Sequence, residues 1–217
     1  IELINGEERI RVDDITIGLD RQTAKDTVII NFPVFDSYIR AIYQQNVIEA
    51  EWIVRNRENY AIPFVAHHGQ GHRFTTLRKA PVMDLSGRWE VTFGIDTDSP
   101  YPAVALFEQE GNHLTGTFLT ETGDYRYLEG TVQADKLYLS TFDGAHAYLF
   151  EAKIGSDSLL IGSFRSGIHY QTLWEARPNP SATLRDPAGL TQLREGEETM
   201  AFDFPNAGGA RVSLDDP

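Results

Sequence analysis

This sequence predicts an all-β fold built from two related antiparallel units, the second an eight-stranded up-and-down barrel. Three observations predict it. Between residues 85 and 177, eight short segments rich in aromatic and β-branched residues recur, separated by turn chemistry. The connections between them are too short to join anything but neighbouring antiparallel strands. Within the segments, apolar side chains return at every second residue, as on a half-buried strand.

Residues 1–82 read as an incomplete copy of the barrel unit. "DTVIINFPVFDSYIRAIY", from Asp26, lies over "DKLYLSTFDGAHAYLFEA", from Asp135. Tyr60, Phe64 and Ala66 fall over Tyr170, Trp174 and Ala176, and "RIRVDD" over "YRYLEG". The second copy opens with "SGRWEVTF" and a hairpin that the first copy lacks. The expectation is that strands encoded upstream of Ile1 supply them, and that the chain is a processed or truncated product.

The barrel spans residues 83–178. Its strands are expected at Arg88–Gly94, Pro102–Gln109, Leu114–Thr120, Tyr125–Val132, Lys136–Phe142, Ala145–Lys153, Ser158–Arg165 and Ile168–Ala176. Turns such as Glu110-Gly111-Asn112, Asp143-Gly144 and Ser166-Gly167 separate them. Trp89, Val91 and Phe93 share one face, as do His146, Tyr148 and Phe150. Closing such a sheet removes its exposed edges.

Residues 179–217 change character. Pro178, Pro180 and Pro187 forbid a continuing sheet. "DPAGLTQLREG" has an Asp-Pro start and a Gly stop and predicts one short helix. "FDFPNAGGARVSLDDP" follows as an extended tail, loosely held or added to the barrel as an edge strand.

Composition bounds the function. Of 217 residues, 19 are Lys or Arg and 32 Asp or Glu, a formal charge of −13. That argues against nucleic acid, whose phosphates need a basic face, and against anionic membrane surfaces. The chain holds no Cys, which removes disulfides, thiolate chemistry and Cys-based zinc sites. No apolar run approaches the length of a membrane span.

The block "YPAVALFEQEGNHLTGTFLTETGDYRYLEGTVQADKLYLSTFDGAHAYLFEAKI" resembles the N-terminal region of bacterial envelope proteins in which it precedes a TlpA-like thioredoxin domain, of the AhpC/TSA and redoxin type. The closing "FDFPNAGGARVSLDD" is similar to the first strand and turn of that redox domain. The resemblance implies a periplasmic or cell-envelope location, possible lipid anchoring of the intact protein, and a C-terminal thioredoxin-like domain as partner, with envelope proteins as substrates. In such families a Cys-x-x-Cys pair does the chemistry. No catalytic residue carries over, because no such motif occurs here, and no cofactor is implied. A second likeness concerns shape alone. The Gly-x-Trp of "SGRWEVTF" is similar to that of lipocalin-like barrels, and "LTGTF" with "YRYLEG" to the avidin group. It makes Trp89 a core plug rather than a ligand contact.

Two clusters are candidate sites. His67, His68 and His72 in "AHHGQGHRF" are weak metal-ligand candidates. Adjacent side chains on an extended chain point apart, so an exposed linker is the preferred reading. Tyr125, Tyr127, Asp143, His146, Arg165 and His169 lie at strand ends or on inward-compatible faces. Lining a cavity, they would orient a small ligand, which is the alternative function: a small-molecule-binding barrel. The plainer reading has Asp143 capping its turn and aromatics filling the barrel. Glu108/Glu110 and Glu121/Asp124 read as solvated surface charge, not as acid–base pairs.

Overall fold

The computed structural model describes residues 1–21, 23–186, 193, 195–196 and 202–213. It is all-β, and its main sheet is a closed eight-stranded antiparallel barrel. Two compact units divide the chain, Ile1–Leu184 and Arg185–Pro217.

The first unit opens with a hairpin, β1 (Glu2–Asn5) and β2 (Glu8–Arg11). A five-stranded meander follows: β3 (Ile15–Asp20), β4 (Lys25–Phe32), β5 (Ser37–Gln44), β6 (Val47–Val54) and β7 (Ala61–His67). Alternation gives it a predominantly apolar face. Ile15, Ile17 and Leu19 lie beside Val28 and Ile30, then Ile39 and Ala41, Ala50 and Trp52, and Ile62. The other face carries charge, including the Arg40–Glu51 pair. The hairpins β4–β5 and β13–β14 both have four-residue connections, so they correspond at an offset of 110, one more than the apolar pattern aligns (142 − 32 against 135 − 26). By strand order β3, not "RIRVDD", is the counterpart of the strand before the second hairpin.

The barrel strands are β8 (Gly87–Phe93), β9 (Tyr101–Glu110), β10 (His113–Thr120), β12 (Leu128–Gln133), β13 (Lys136–Phe142), β14 (Ala147–Ile154), β15 (Leu160–Ser166) and β16 (Tyr170–Pro178). A two-residue β11 (Gly123–Asp124) hangs from β10. Each strand pairs with the next, and β16 returns to β8 with Trp174 opposite Phe93. All eight occur in the order the sequence predicts and within one or two residues of the expected starts, except that the fourth begins at Leu128 and leaves Tyr125–Tyr127 outside the strand. Trp89, Val91 and Phe93 point inward together. With Phe118, Phe150, Phe164 and Trp174 they leave the interior filled, each of these at most 2% exposed. Trp89 Nε1 donates to Leu85 O at 2.8 Å, closing one end as a plug.

The meander docks on the barrel rim through two glycine turns. A Cβ on Gly144 would lie 2.7 Å from the Phe32 ring, and one on Gly167 would lie 1.7 Å from the Tyr60 hydroxyl. Only glycine leaves room at both, and both have positive φ. Phe32 and Trp52 meet Phe142 edge-on at 5.8 and 5.2 Å. Buried Asn5 imitates a strand neighbour: its Nδ2 donates to Phe142 O at 2.9 Å and its Oδ1 accepts from Phe142 N at 3.2 Å. Aromatic pairs of this kind add ~0.5–1.5 kcal/mol each beyond area burial, so the junction is held like a core. The two β units thus build separate sheets within one compact body.

The expected helix at "DPAGLTQLREG" falls largely outside the described residues. The expected extended tail pairs with itself instead, as β17 (Asp203–Pro205) and β18 (Arg211–Ser213). The Asn206 side chain drives this turn: its Oδ1 accepts from Gly208 N and Ala210 N at 2.9 and 3.0 Å. That satisfies the turn's donors locally, and Arg211 Nε reaches Asp203 at 2.7 Å across the strand pair.

Candidate functional site

The strongest polar cluster sits where the β1–β2 hairpin and the meander meet the barrel rim. Asp143 closes β13 and is 1% exposed. Its Oδ1 accepts from Ala145 N at 2.8 Å and His146 N at 2.7 Å, capping the four-residue turn into β14. Its Oδ2 lies 3.1 Å from His146 Nδ1 and 3.4 Å from Arg126 Nε. Arg126 in turn pairs with Glu8 of the hairpin. Burial opposes the Asp143 charge, but the His146 ring and the two backbone N–H groups outweigh it and hold the carboxyl below its ordinary range. The cap is therefore ionised and structural, and His146 presents its other nitrogen outward beside the Tyr148 ring, 5.0 Å away.

Tyr125 and Tyr148 close the same end of the barrel. Tyr125 Oη lies 3.2 Å from Tyr101 Oη, and its ring packs on Phe93, Phe150 and Phe164. Burial, first among the causes, raises the Tyr101 and Tyr125 hydroxyls above their ordinary range and pushes Tyr148 up to about 12. An unfolded tyrosine ionises near pH ~10. Folded-state values above that mean stability that is intact below pH ~10 and is lost as pH rises toward 12. In a spectrophotometric titration of the nine tyrosines, these three are expected to be missing from the first alkaline phase. Nine tyrosines titrating together near pH ~10 would contradict the packing.

The six candidate residues do not converge. Asp143 and His146 meet as a turn cap, and His169 packs on the Tyr60 ring at 5.1 Å, at the docking junction. Tyr125 is part of the interior. Tyr127, two residues on, is 53% exposed on the outer wall, and Arg165 is exposed opposite Leu149 on β14 and Gln171 on β16. The interior positions where a ligand carrier needs space hold aromatic rings instead, Phe150 and Phe164 stacked at 4.4 Å.

His67, His68 and His72 are exposed. Among the described residues no group of three His, Asp or Glu side chains is placed to hold a metal. The run that contains them is more than a solvated linker. Arg73 Nη2 donates to Ile4 O at 2.6 Å and its Nη1 to Ser140 Oγ at 2.9 Å, while Phe74 leans on Tyr138 at 5.5 Å.

A groove of about 1140 Å³ runs along the outer wall of β9, β10 and β12, bounded by the Gly6–Glu7 turn. Arg88, Glu108, His113, Thr115, Tyr127 and Glu129 line it. Glu129 anchors its floor: Oε2 accepts from Gly6 N at 2.9 Å and lies 3.4 Å from Arg73, and Oε1 lies 3.0 Å from His113 Nε2. Burial opposes its charge, and these three partners together hold its carboxyl low. Sequence reasoning misses the Arg73–Glu129–His113 set and Arg126–Glu8, because nothing local to any of these residues marks its partner. The groove is open and carries both signs of charge, which suits an extended polar segment better than an enclosed small molecule. No family model, curated protein or solved structure matches the chain, so its chemistry is argued from these residues.

Proposed function

We propose that this chain is a non-catalytic β region that precedes a thioredoxin-like domain in an envelope thiol–disulfide oxidoreductase. It recognises partner or substrate proteins, or spaces the redox centre from a membrane to which the intact protein is lipid-anchored. One observation carries the reading. Residues 203–213 fold as a self-paired hairpin in a compact unit of their own, where the resemblance expects the opening strand and turn of the redox domain. The filled barrel supports it further: with aromatics inside, the outer wall and its groove are the surfaces that remain for a protein partner.

The coding sequence on both sides of the chain tests this. A lipoprotein-type signal upstream and Cys-x-x-Cys roughly 25–40 residues past Pro217, about one strand, a loop and a helix start, are expected. The chain alone, having no Cys, is expected to be silent in thiol exchange. A downstream sequence without Cys-x-x-Cys, or exchange activity from this chain by itself, overturns the reading.

A further inference from the structure

We propose that the outer face of the meander carries an oxyanion site, which takes a small carboxylate or phosphate borne on an apolar body. The site is a groove of about 760 Å³ over β4, β5 and β6 and the connection into β7. It lies on the charged face of the sheet, opposite the apolar face. A strand added beside β3 would extend the sheet in its own plane and leave this face as it is. The site is separate from the groove on the barrel wall and does not depend on the redox parentage.

Arg40, Arg55 and Arg57 line the groove, and among the described residues no carboxylate does. In a chain with 32 Asp or Glu against 19 Lys or Arg, that runs against composition. The barrel-wall groove shows the contrast, with Glu7, Glu108, Asp124 and Glu129 in its lining. Two carboxylates reach the arginines from outside. Glu51 Oε2 accepts from Arg40 Nη2 at 2.6 Å, and Asp36 Oδ1 lies 3.7 Å from Arg55 Nη1. Glu58 is exposed and outside the lining. Arg57 is the uncommitted member: among the described residues its guanidinium meets only the Tyr60 ring, at 5.2 Å. Guanidinium groups that share a groove repel one another, and an oxyanion bound between them turns that repulsion into attraction.

The arginines are held before any ligand arrives. Arg55 stacks on the Tyr38 ring at 4.5 Å and donates from Nη2 to Asn31 Oδ1 at 2.7 Å. Its Nη1 donates to Ser37 O at 3.4 Å. A guanidinium carries five N–H donors, so these contacts leave others for a ligand. Fixing the forks in advance lowers the entropy cost of binding an oxyanion. The floor is apolar: Ile53 lies opposite Ala61 on β7, and Ile29 completes it from β4, all three half-buried. An apolar floor with a cationic rim fits an anion carried on a ring better than a bare inorganic ion. The net charge of −13 repels anions at long range, so the affinity is expected to be millimolar.

Nuclear magnetic resonance titration of the chain with phenyl phosphate, benzoate, inorganic phosphate and benzyl alcohol tests the site. The two aryl anions are expected to shift the amides of residues 38–40 and 53–61, around the groove, and to saturate in the millimolar range. Binding of both, or of one alone, supports the site and assigns its oxyanion. Inorganic phosphate is expected to bind roughly tenfold more weakly than phenyl phosphate for want of the apolar contact, and benzyl alcohol to cause no such shifts. Arg57→Gln and Arg55→Lys should each weaken aryl-anion binding about fivefold to tenfold, with circular dichroism unchanged. The second keeps the charge but loses the stacked fork. Lys136→Gln, the same charge change at an exposed barrel residue, should leave binding as it was. Four outcomes overturn the proposal: neither aryl anion shifting these amides, benzyl alcohol binding as well as they do, inorganic phosphate binding as tightly as phenyl phosphate, or Arg57→Gln losing no more than Lys136→Gln.

Discussion

Phe93→Ala is expected to lower the stability of the barrel by about 3–5 kcal/mol, the largest loss for any single truncation in it. Phe93 ends β8 with its ring fully buried, and it touches six other rings: Tyr101, Phe118, Tyr125, Phe150, Phe164 and Trp174. Removing it deletes the hub that joins the β8–β9 hairpin to β14, β15 and β16. The neighbours are themselves pinned by barrel closure, so they cannot collapse into the space, and a cavity term adds to the lost transfer energy. Urea unfolding followed by fluorescence should show a lower midpoint at unchanged slope. Phe74→Ala, at a half-exposed ring, should cost under ~1 kcal/mol by the same measurement. A loss at Phe93 as small as that at Phe74 would mean the interior is not packed as described.

Asp143→Ala is the second large expectation, at about 2–4 kcal/mol. The substitution strands the Ala145 and His146 N–H groups at a partly buried turn, and removes the carboxylate that Arg126 and His146 face. Asp143→Asn keeps an acceptor for the two N–H groups, so it should lose less at neutral pH and separate the cap from the charge. The sign of the pH effect follows from the depressed carboxyl. Its contribution is fully present above the unfolded value, near pH ~4, and is lost as pH falls through the lower folded value. The unmodified chain should therefore shed this increment on acidification, while Asp143→Asn should lack that part of the acid limb. Parallel acid limbs for the two proteins would remove Asp143 from the account.

Much of the fold was legible because its causes are local. Each barrel strand announces itself by alternation, and each connection is too short to reach anything but a neighbour, so eight strands in order leave closure as the economical way to hide the edges. Trp89, Val91 and Phe93 were assigned to one face by counting alone. The same counting fails at Tyr125 and Tyr127. Both are two residues apart, yet one enters the core and the other the outer wall. Arg126 between them has a positive φ of 61°, and regular strand begins only at Leu128. A period-two rule holds only where the backbone is extended throughout. The glycines of Asp143-Gly144 and Ser166-Gly167 were legible as turns, but not as the seats of Phe32 and Tyr60, since nothing beside them in the chain names the ring that will fill the space.

The polar contacts were the least legible part. Asn5 bonds Phe142 across 137 residues, Arg126 meets Glu8 across 118, and Arg73 reaches Ile4 across 69. Such partners are set by where the docked sheet and hairpin come to rest, which depends on twist and accumulated register. For the barrel, the sequence by itself determined strand number and strand order, and the inward faces wherever the strands are regular, because those follow from the pattern of neighbours and the length of turns. Tertiary structure alone decided which side chains share a site: closure filled the barrel with its own rings, and docking turned Asp143, His146 and His169 into the joint between two sheets.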